Sequence, residues 1–237
     1  MKNKKIAVII PTYNEKDNII VLAEKILRLP LDITAIIVDD NSPDGTGDIA
    51  KKYFQNDSRI EVIIRKKDRG RGNAGRFGYK VALDRKFDII GEMDGDLSHS
   101  PEFIPSLVSF LERADVVSGS RFLSGGKSLR QDKKREVITL LARTYLRLIL
   151  GIKLKDPTSG FRFFRYSSLS AIYPELKSKD AFIVTEVFYY VFKKKFTIIE
   201  SQIIFYKRKY GSSKLRFRTL IAYLYRVILL RIGLFYG

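Results

Sequence analysis

A chain of 237 residues, 45% of them hydrophobic, can bury one substantial core without a second domain, and its lack of cysteine excludes disulfides and thiolate metal sites and fits a reducing compartment. The net charge of +18 is unevenly spread: residues 1–118 carry 19 Lys+Arg against 19 Asp+Glu, whereas residues 119–237 carry 25 against 7. An excess confined to one half points to a polyanion met there, whether nucleic acid, an anionic membrane surface or a polyphosphate substrate.

The chain begins with a basic stretch, but the apolar run after it stops at Pro11 and is too short for a signal peptide. The first 120 residues then alternate strand and helix signals. Residues 5–10 predict a strand, 17–29 a helix, 34–38 a strand, and 43–54 a helix with Ser42 as its N-cap. Residues 60–64 predict a strand and 74–85 a helix; 87–93 and 115–118 complete the strands, with a helix starting near Pro101 between them. Such alternation implies an α/β fold, a mainly parallel sheet with helices on both faces.

The second half is less regular. Residues 119–130 form a loop rich in Gly and Ser, 134–150 a basic helix with apolar positions at Val137, Leu140, Leu141 and Leu148, and Asp156-Pro157-Thr158-Ser159-Gly160 a turn. Residues 181–192 predict a helix, 196–205 a strand and 216–236 a last apolar helix broken by Arg226 and Arg231. Its uncharged run, 219–225, falls well short of the roughly 18 residues of a membrane span. Two readings stay open: a helix in the membrane interface with its arginines reaching head groups, or an ordinary buried C-terminal helix. The domain expectation is a catalytic unit at 1–215 and this helix at 216–237.

Chemistry concentrates where strands end. The first strand runs into Pro11-Thr12-Tyr13-Asn14-Glu15, the second into Asp39-Asp40-Asn41-Ser42-Pro43-Asp44-Gly45-Thr46, the fourth into Asp94-Gly95-Asp96-Leu97-Ser98-His99. In a parallel sheet these clusters converge on the crevice where such folds bind ligands. An isolated Asp-x-Asp is as a rule an acidic turn. Beside the other two clusters it reads as a pair of hard oxygen ligands for Mg²⁺ or Mn²⁺ on a nucleotide-sugar diphosphate. Pro11, Tyr13 and Glu15 would frame the base, and Asp40 would accept its hydrogen bonds.

Together with Gly119-Ser120-Arg121-Phe122, the run from Asp156 to Arg162 and the run from Tyr210 to Leu215, these motifs resemble glycosyltransferases of inverting family 2 with a GT-A fold, and among them the dolichyl-phosphate mannose synthases and related polyprenyl-phosphate glycosyltransferases. The resemblance runs in order over almost the whole chain. It implies that Pro11, Tyr13, Glu15, Val38 and Asp40 bind the nucleoside part of the donor, and that Asp94, Gly95 and Asp96 bind its diphosphate through a divalent cation. Arg121, Arg208 and Lys214 would hold phosphates of donor and acceptor, with Asp94, Asp96, Arg121 and Lys214 carrying the catalysis. Asp156 and Arg162 would belong to an acceptor loop. The reaction implied is metal-dependent transfer with inversion, mannose from GDP-mannose being favoured, to a polyprenyl or dolichyl phosphate. The setting implied is the cytoplasmic face of a membrane, with a membrane-anchoring partner or a further transmembrane segment. Departures from the family pattern are Gly95 for Ala, and Gly70-Arg71-Gly72 where Gly-Leu-Gly is common.

Other readings make different demands. Transfer of glucose or another sugar from a UDP-sugar, to a polyprenyl phosphate or to a saccharide hydroxyl, would use the same motifs, and the hydroxyl version needs a carboxylate base that the acid-poor second half scarcely offers. A nucleic-acid-binding module would have no use for Asp94 or Asp96, so no nucleic-acid partner is expected. A dinucleotide oxidoreductase would need a Gly-x-Gly-x-x-Gly turn after the first strand, which is lacking. His99 is expected to bond within its loop, Lys193 to Lys195 to form a solvated helix end, with a membrane-facing role as the alternative, and Glu186 to pair with a cation, facing the acceptor site being its other reading.

Overall fold

The computed structural model describes residues 4–129, 133–207 and 217–235. The expected strands of the first half form as β1 (Ile6–Thr12), β2 (Ile33–Asp39), β3 (Ile60–Ile64), β4 (Ile89–Glu92) and β5 (Val116–Ser120), joined by α1 (Lys16–Leu27), α2 (Thr46–Tyr53), α3 (Arg71–Asp84) and α4 (Ile104–Phe110). β1, β2, β4 and β5 are short and almost wholly buried, as strands covered on both faces must be, whereas β3, at the edge of the sheet, is half-buried. The second half adds β6 (Lys127–Ser128), α5 (Lys133–Leu150), β7 (Arg162–Arg165), α6 (Tyr166–Ile172), α7 (Ile183–Lys193), β8 (Ile198–Gln202), β9 (Ile204–Phe205) and α8 (Phe217–Arg231).

The main sheet runs β3-β2-β1-β4-β7-β5-β8. Every described pairing in it is parallel except those of β7, which lies antiparallel between β4 and β5. Neither β7 nor α6 is anticipated from sequence. The expected strand at 196–205 divides at Ile203: β8 joins β5 in the large sheet, while β9 pairs with β6 in a separate ribbon. Ser42 does not cap α2. Gly45 occupies the N-cap in a left-handed conformation, and the Ser42 hydroxyl donates instead to Asp39 Oδ1 at 2.5 Å.

One face of the sheet is covered by α1 and α4, through Ile19, Leu22, Ile26, Ile104 and Leu107; the other by α3, α6 and α7, through Tyr79, Ala82, Leu169, Ile183 and Val187. A third apolar layer lies outside α7, whose Phe188 and Tyr189 meet Leu146 and Leu150 of α5 and Val227 and Leu230 of α8. A helix apolar on both sides is a buried helix, which is what this outer pair makes of α7. The outer pair themselves stay amphipathic toward solvent. Val137, Leu140, Leu141 and Leu148 of α5 are exposed, as are Ile221, Tyr225 and Ile228 of α8. Among the described residues no helix is long and apolar enough to cross a membrane. Arg226, which one of the two open readings placed among head groups, turns inward: it pairs with Asp180 at 2.7 Å and stacks 4.5 Å above the Phe182 ring.

Candidate active site

The carboxyl ends of β1, β2 and β4 do meet. Asp39, buried at the end of β2, accepts hydrogen bonds from Thr12 Oγ1 (3.1 Å) and from the Ser42 backbone N–H (2.8 Å), and the Asn14 N–H donates to Ser42 Oγ at 3.0 Å. This ties the first two polar clusters together. Asp40, only 4% exposed, accepts from Arg65 Nη1 at 2.7 Å and from the Gly70 N–H at 2.6 Å. Burial pushes its carboxyl upward, against the pull of the Gly70 N–H and the Arg65 guanidinium. Tyr13 stands out from the sheet edge, 41% exposed, with the Arg69 guanidinium 5.6 Å from its ring centre. Glu15 is fastened at both ends: its N–H donates to Thr46 Oγ1 (2.9 Å) and its Oε2 accepts from Asn18 Nδ2 (2.8 Å). Pro11 is half-buried. Val38 is fully buried, so any part it takes with a ligand falls to its main chain.

Asp94, Gly95 and Asp96 leave β4 beside these groups. A Cβ on Gly95 would stand 3.1 Å from Thr12 Cγ2 and 3.5 Å from Glu15 Cγ, so the glycine lets the acidic turn lie directly on the end of β1. Asp96, 3% exposed, is oriented through Oδ1 by the Ser98 N–H (3.0 Å) and the Ser98 hydroxyl. Asp94 Oδ1 accepts from Arg71 Nη2 at 3.0 Å. His99 is 2% exposed and stacks on Phe161 with ring centres 5.0 Å apart. Burial holds its pKa below the usual value against the nearby Asp94 and Asp96 carboxylates, and Nδ1 accepts the Asp94 N–H at 3.4 Å, which leaves the ring proton on Nε2.

The second half closes over this edge. Arg121, at the end of β5, makes a two-pronged bond to Asp156, with both N···O distances 2.7 Å, and a third bond to Thr158 Oγ1 at 2.8 Å. Asp156 is held in turn by its own N–H, donated to Glu200 Oε1 at 2.8 Å. The 156–160 turn thereby reaches Asp94: a Cβ on Gly160 would stand 3.4 Å from Asp94 Oδ1 and 2.9 Å from Arg71 Nη2. Arg208 and Lys214 lie outside the described residues.

Two residues take parts other than those expected. Arg162 is no acceptor-loop residue; it is fully buried on β7, with Nη2 donating to Glu92 at 3.0 Å and to the Tyr79 hydroxyl at 3.1 Å. Glu186 accepts the backbone N–H groups of Lys177 (2.8 Å) and Ser178 (2.9 Å), which makes it the organiser of a turn. Sequence reasoning marked Arg71 only as a departure from the family pattern and passed over Glu92. The available signal was a carboxylate inside an apolar strand, since a buried charge demands a partner.

Glu92 is fully buried between Arg71, Arg162 and Tyr79. Burial pushes its carboxyl up, but the two guanidinia and the Tyr79 hydroxyl outweigh burial and hold it below the ordinary 4.5. Glu92→Leu leaves the fully buried Arg162 without its carboxylate and Arg71 with Asp94 alone, and we expect it to cost about 3–5 kcal/mol in urea unfolding at neutral pH. The gap from wild type should narrow below pH 4.5, because a depressed carboxylate loses its stabilising contribution as pH falls through the folded pKa. A gap that is constant or widens in acid contradicts this.

The donor set at the strand ends suits a hard divalent cation. Among the described residues no cluster of three or more His, Cys, Asp or Glu side chains is placed to hold a metal. A Mg²⁺-type site needs only one or two carboxylates when phosphate oxygens complete the shell, a number that Asp94 and Asp96 would supply.

A family model described as glycosyl transferase family 2 matches residues 7–173, and an undecaprenyl-phosphate mannosyltransferase from Micrococcus luteus is 34% identical over 212 residues, 89% of this chain and 87% of that one. The chain belongs to glycosyl transferase family 2. A polyprenol monophosphomannose synthase from Mycolicibacterium smegmatis is 33% identical to this family 2 transferase over 88% of the chain and 80% of its own length. A dolichol-phosphate mannosyltransferase from Pyrococcus furiosus is 34% identical over 93% of the chain but only 62% of its own length. The fold also matches glucosyl-3-phosphoglycerate synthase of Mycobacterium tuberculosis, solved with Mn²⁺, UDP-glucose and phosphoglyceric acid. The TM-score is 0.72 at 20% identity, with 98% of this chain and 80% of that one covered. The family 2 transferase therefore has the GT-A fold, with one antiparallel strand set into an otherwise parallel sheet.

Proposed function

We propose that the protein transfers a sugar, mannose from GDP-mannose by preference, to the phosphate of a polyprenyl lipid at a membrane surface. The observation that supports this most directly is the meeting of Asp94 with the 156–160 turn, which brings a carboxylate suited to a donor diphosphate against a loop braced by a buried Arg121–Asp156 pair. The names of relatives one-third identical over most of the chain agree with it.

In the reaction, an oxygen of the lipid phosphate attacks the anomeric carbon from the face opposite the leaving group. The new carbon–oxygen bond forms as the bond to the diphosphate breaks, and the nucleoside diphosphate departs with the electron pair. A divalent cation held by Asp94 and Asp96 would neutralise charge gathering on that diphosphate. Tyr13 and Glu15 border the nucleoside seat. Asp40 shapes its floor through Arg65 and Gly70. Arg121 presents a guanidinium whose direction is set by Asp156, and Arg208 and Lys214 add cations for phosphate. A phosphate acceptor is already ionised near neutral pH, so no residue has to remove its proton. A neutral, buried His99 fits that economy. The exposed apolar stripes of α5 and α8, in the basic half of the chain, would lie in the membrane interface.

The test is incubation of the protein with a polyprenyl phosphate, Mg²⁺ or Mn²⁺, and GDP-mannose, UDP-glucose or UDP-N-acetylglucosamine in turn. Lipid-linked mannose from GDP-mannose is the expected product. Transfer to saccharide hydroxyls with none to lipid phosphate, or no transfer from any donor by folded protein, rules the proposal out.

A further inference from the structure

Arg71 joins two carboxylates of different kinds. Nη1 is bonded to Glu92, which is fully buried, and Nη2 donates at 3.0 Å to Asp94 Oδ1, whose side chain is 30% exposed at the crevice. The inner end is rigid, because Glu92, Tyr79 and Arg162 are all packed out of solvent and bonded to one another. The outer end is a carboxylate that the proposed reaction must present to a metal. A planar guanidinium engaged through both terminal nitrogens cannot turn without giving up one of them.

The backbone that carries Arg71 is fixed as well. The N–H groups of Gly72 and Asn73 both donate to the Lys179 carbonyl, at 3.0 and 3.2 Å, and Gly160 closes over Nη2 on the other side. Charge bears on which role the arginine has. Two carboxylates, Glu92 and Asp94, face two guanidinia, Arg71 and Arg162, so Arg71 is matched within the protein and is not spare charge for a substrate. Its repulsion of a nearby cation is offset by Glu92.

We propose that Arg71 is a positioning residue of the donor site: braced on Glu92, it holds the Asp94 carboxylate ready for a divalent cation. The proposal rests on the reading of Asp94 and Asp96 as the metal seat. Groups that orient a metal ligand are commonly worth 10–100-fold in metal affinity.

The experiment measures Mn²⁺ binding to the full chain with GDP or UDP present, by the electron paramagnetic resonance signal of free Mn²⁺, with no sugar or lipid. Thermal melting of each variant runs alongside. Arg71→Met and Arg71→Lys should each weaken Mn²⁺ binding by roughly tenfold or more. Lysine keeps the charge but is a point donor that cannot span Glu92 and Asp94 together, so it should fail as methionine does. Wild-type affinity in Arg71→Lys would assign the effect to charge, and unchanged or tighter binding in Arg71→Met would refute positioning. Should Arg71→Met not fold, Arg71→Lys decides alone. If the wild type does not bind Mn²⁺ with either nucleotide, or Asp96→Asn binds it undiminished, the metal seat itself is wrong and this inference goes with it. Binding that is lost in Asp96→Asn but intact in both Arg71 variants overturns the role of Arg71 only.

Discussion

Replacing Asp96 by asparagine should lower sugar transfer by on the order of 10³-fold while leaving the fold intact. The side chain is 3% exposed, and its Oδ1 accepts from the N–H and the hydroxyl of Ser98. Asparagine has the same shape and keeps an oxygen for both bonds, so the turn after β4 survives. What disappears is the negative charge. Stabilising the diphosphate's developing charge through a bound cation is worth several kcal/mol, and each 1.36 kcal/mol is a factor of ten in rate, so about 4 kcal/mol gives the stated loss. The measurement is lipid-linked sugar formed per unit time at saturating donor, with melting temperature as the control for folding. A loss below about tenfold in a variant that melts like wild type would remove Asp96 from the catalytic apparatus. Asp94→Asn should be at least as damaging to transfer, because it also leaves Arg71 with a neutral amide in place of its outer carboxylate.

The contrast between Asp96 and Arg71 shows which parts of the site a sequence exposes. Asp94, Asp96, Tyr13 and Glu15 are legible because they follow apolar runs directly, and a parallel sheet brings the carboxyl ends of its strands to one edge whatever the register. Arg71 and Glu92 are separated by 21 positions and meet only because α3 crosses behind β4. No local period reports that crossing. The resemblance drew attention to Arg71 as a departure from an apolar residue, and the buried partner that explains it lies on another element. β7 escaped for a related reason. Arg162 to Arg165 is four residues with an arginine at each end, which reads as a loop until Arg162 is seen to be neutralised by Glu92 inside the sheet. Ser42 illustrates the opposite error, in which a good local rule loses to a tertiary contact, since its hydroxyl is engaged by Asp39 at 2.5 Å. The amphipathic helices occupy a middle ground. Their apolar spacing predicted helix correctly, but only the packing of α5 and α8 over α7 tells which apolar residues remain outside.

Those outward residues carry the second large effect. Leu141 and Leu148, 65% and 77% exposed, lie seven positions apart on one stripe of α5, and neither is needed by the buried layer that Leu146 and Leu150 form with α8. If the stripe rests in a membrane interface, each leucine contributes about 1.5–3 kcal/mol of transfer energy, and together about 3–6 kcal/mol. Leu141→Glu with Leu148→Glu should therefore weaken binding to vesicles containing anionic lipid by at least about 100-fold, with melting temperature unchanged. Co-sedimentation at two salt concentrations separates the contributions. The attraction of the basic half falls as salt rises, whereas the leucine contribution persists, so the variant should bind only at low salt. Transfer to a short, water-soluble polyprenyl phosphate should survive in the same variant, since the crevice at the ends of β1, β2 and β4 is built from other residues. Undiminished vesicle binding by the double variant would show that these leucines face something other than lipid, and loss of transfer to the short acceptor would show that α5 acts on the site itself.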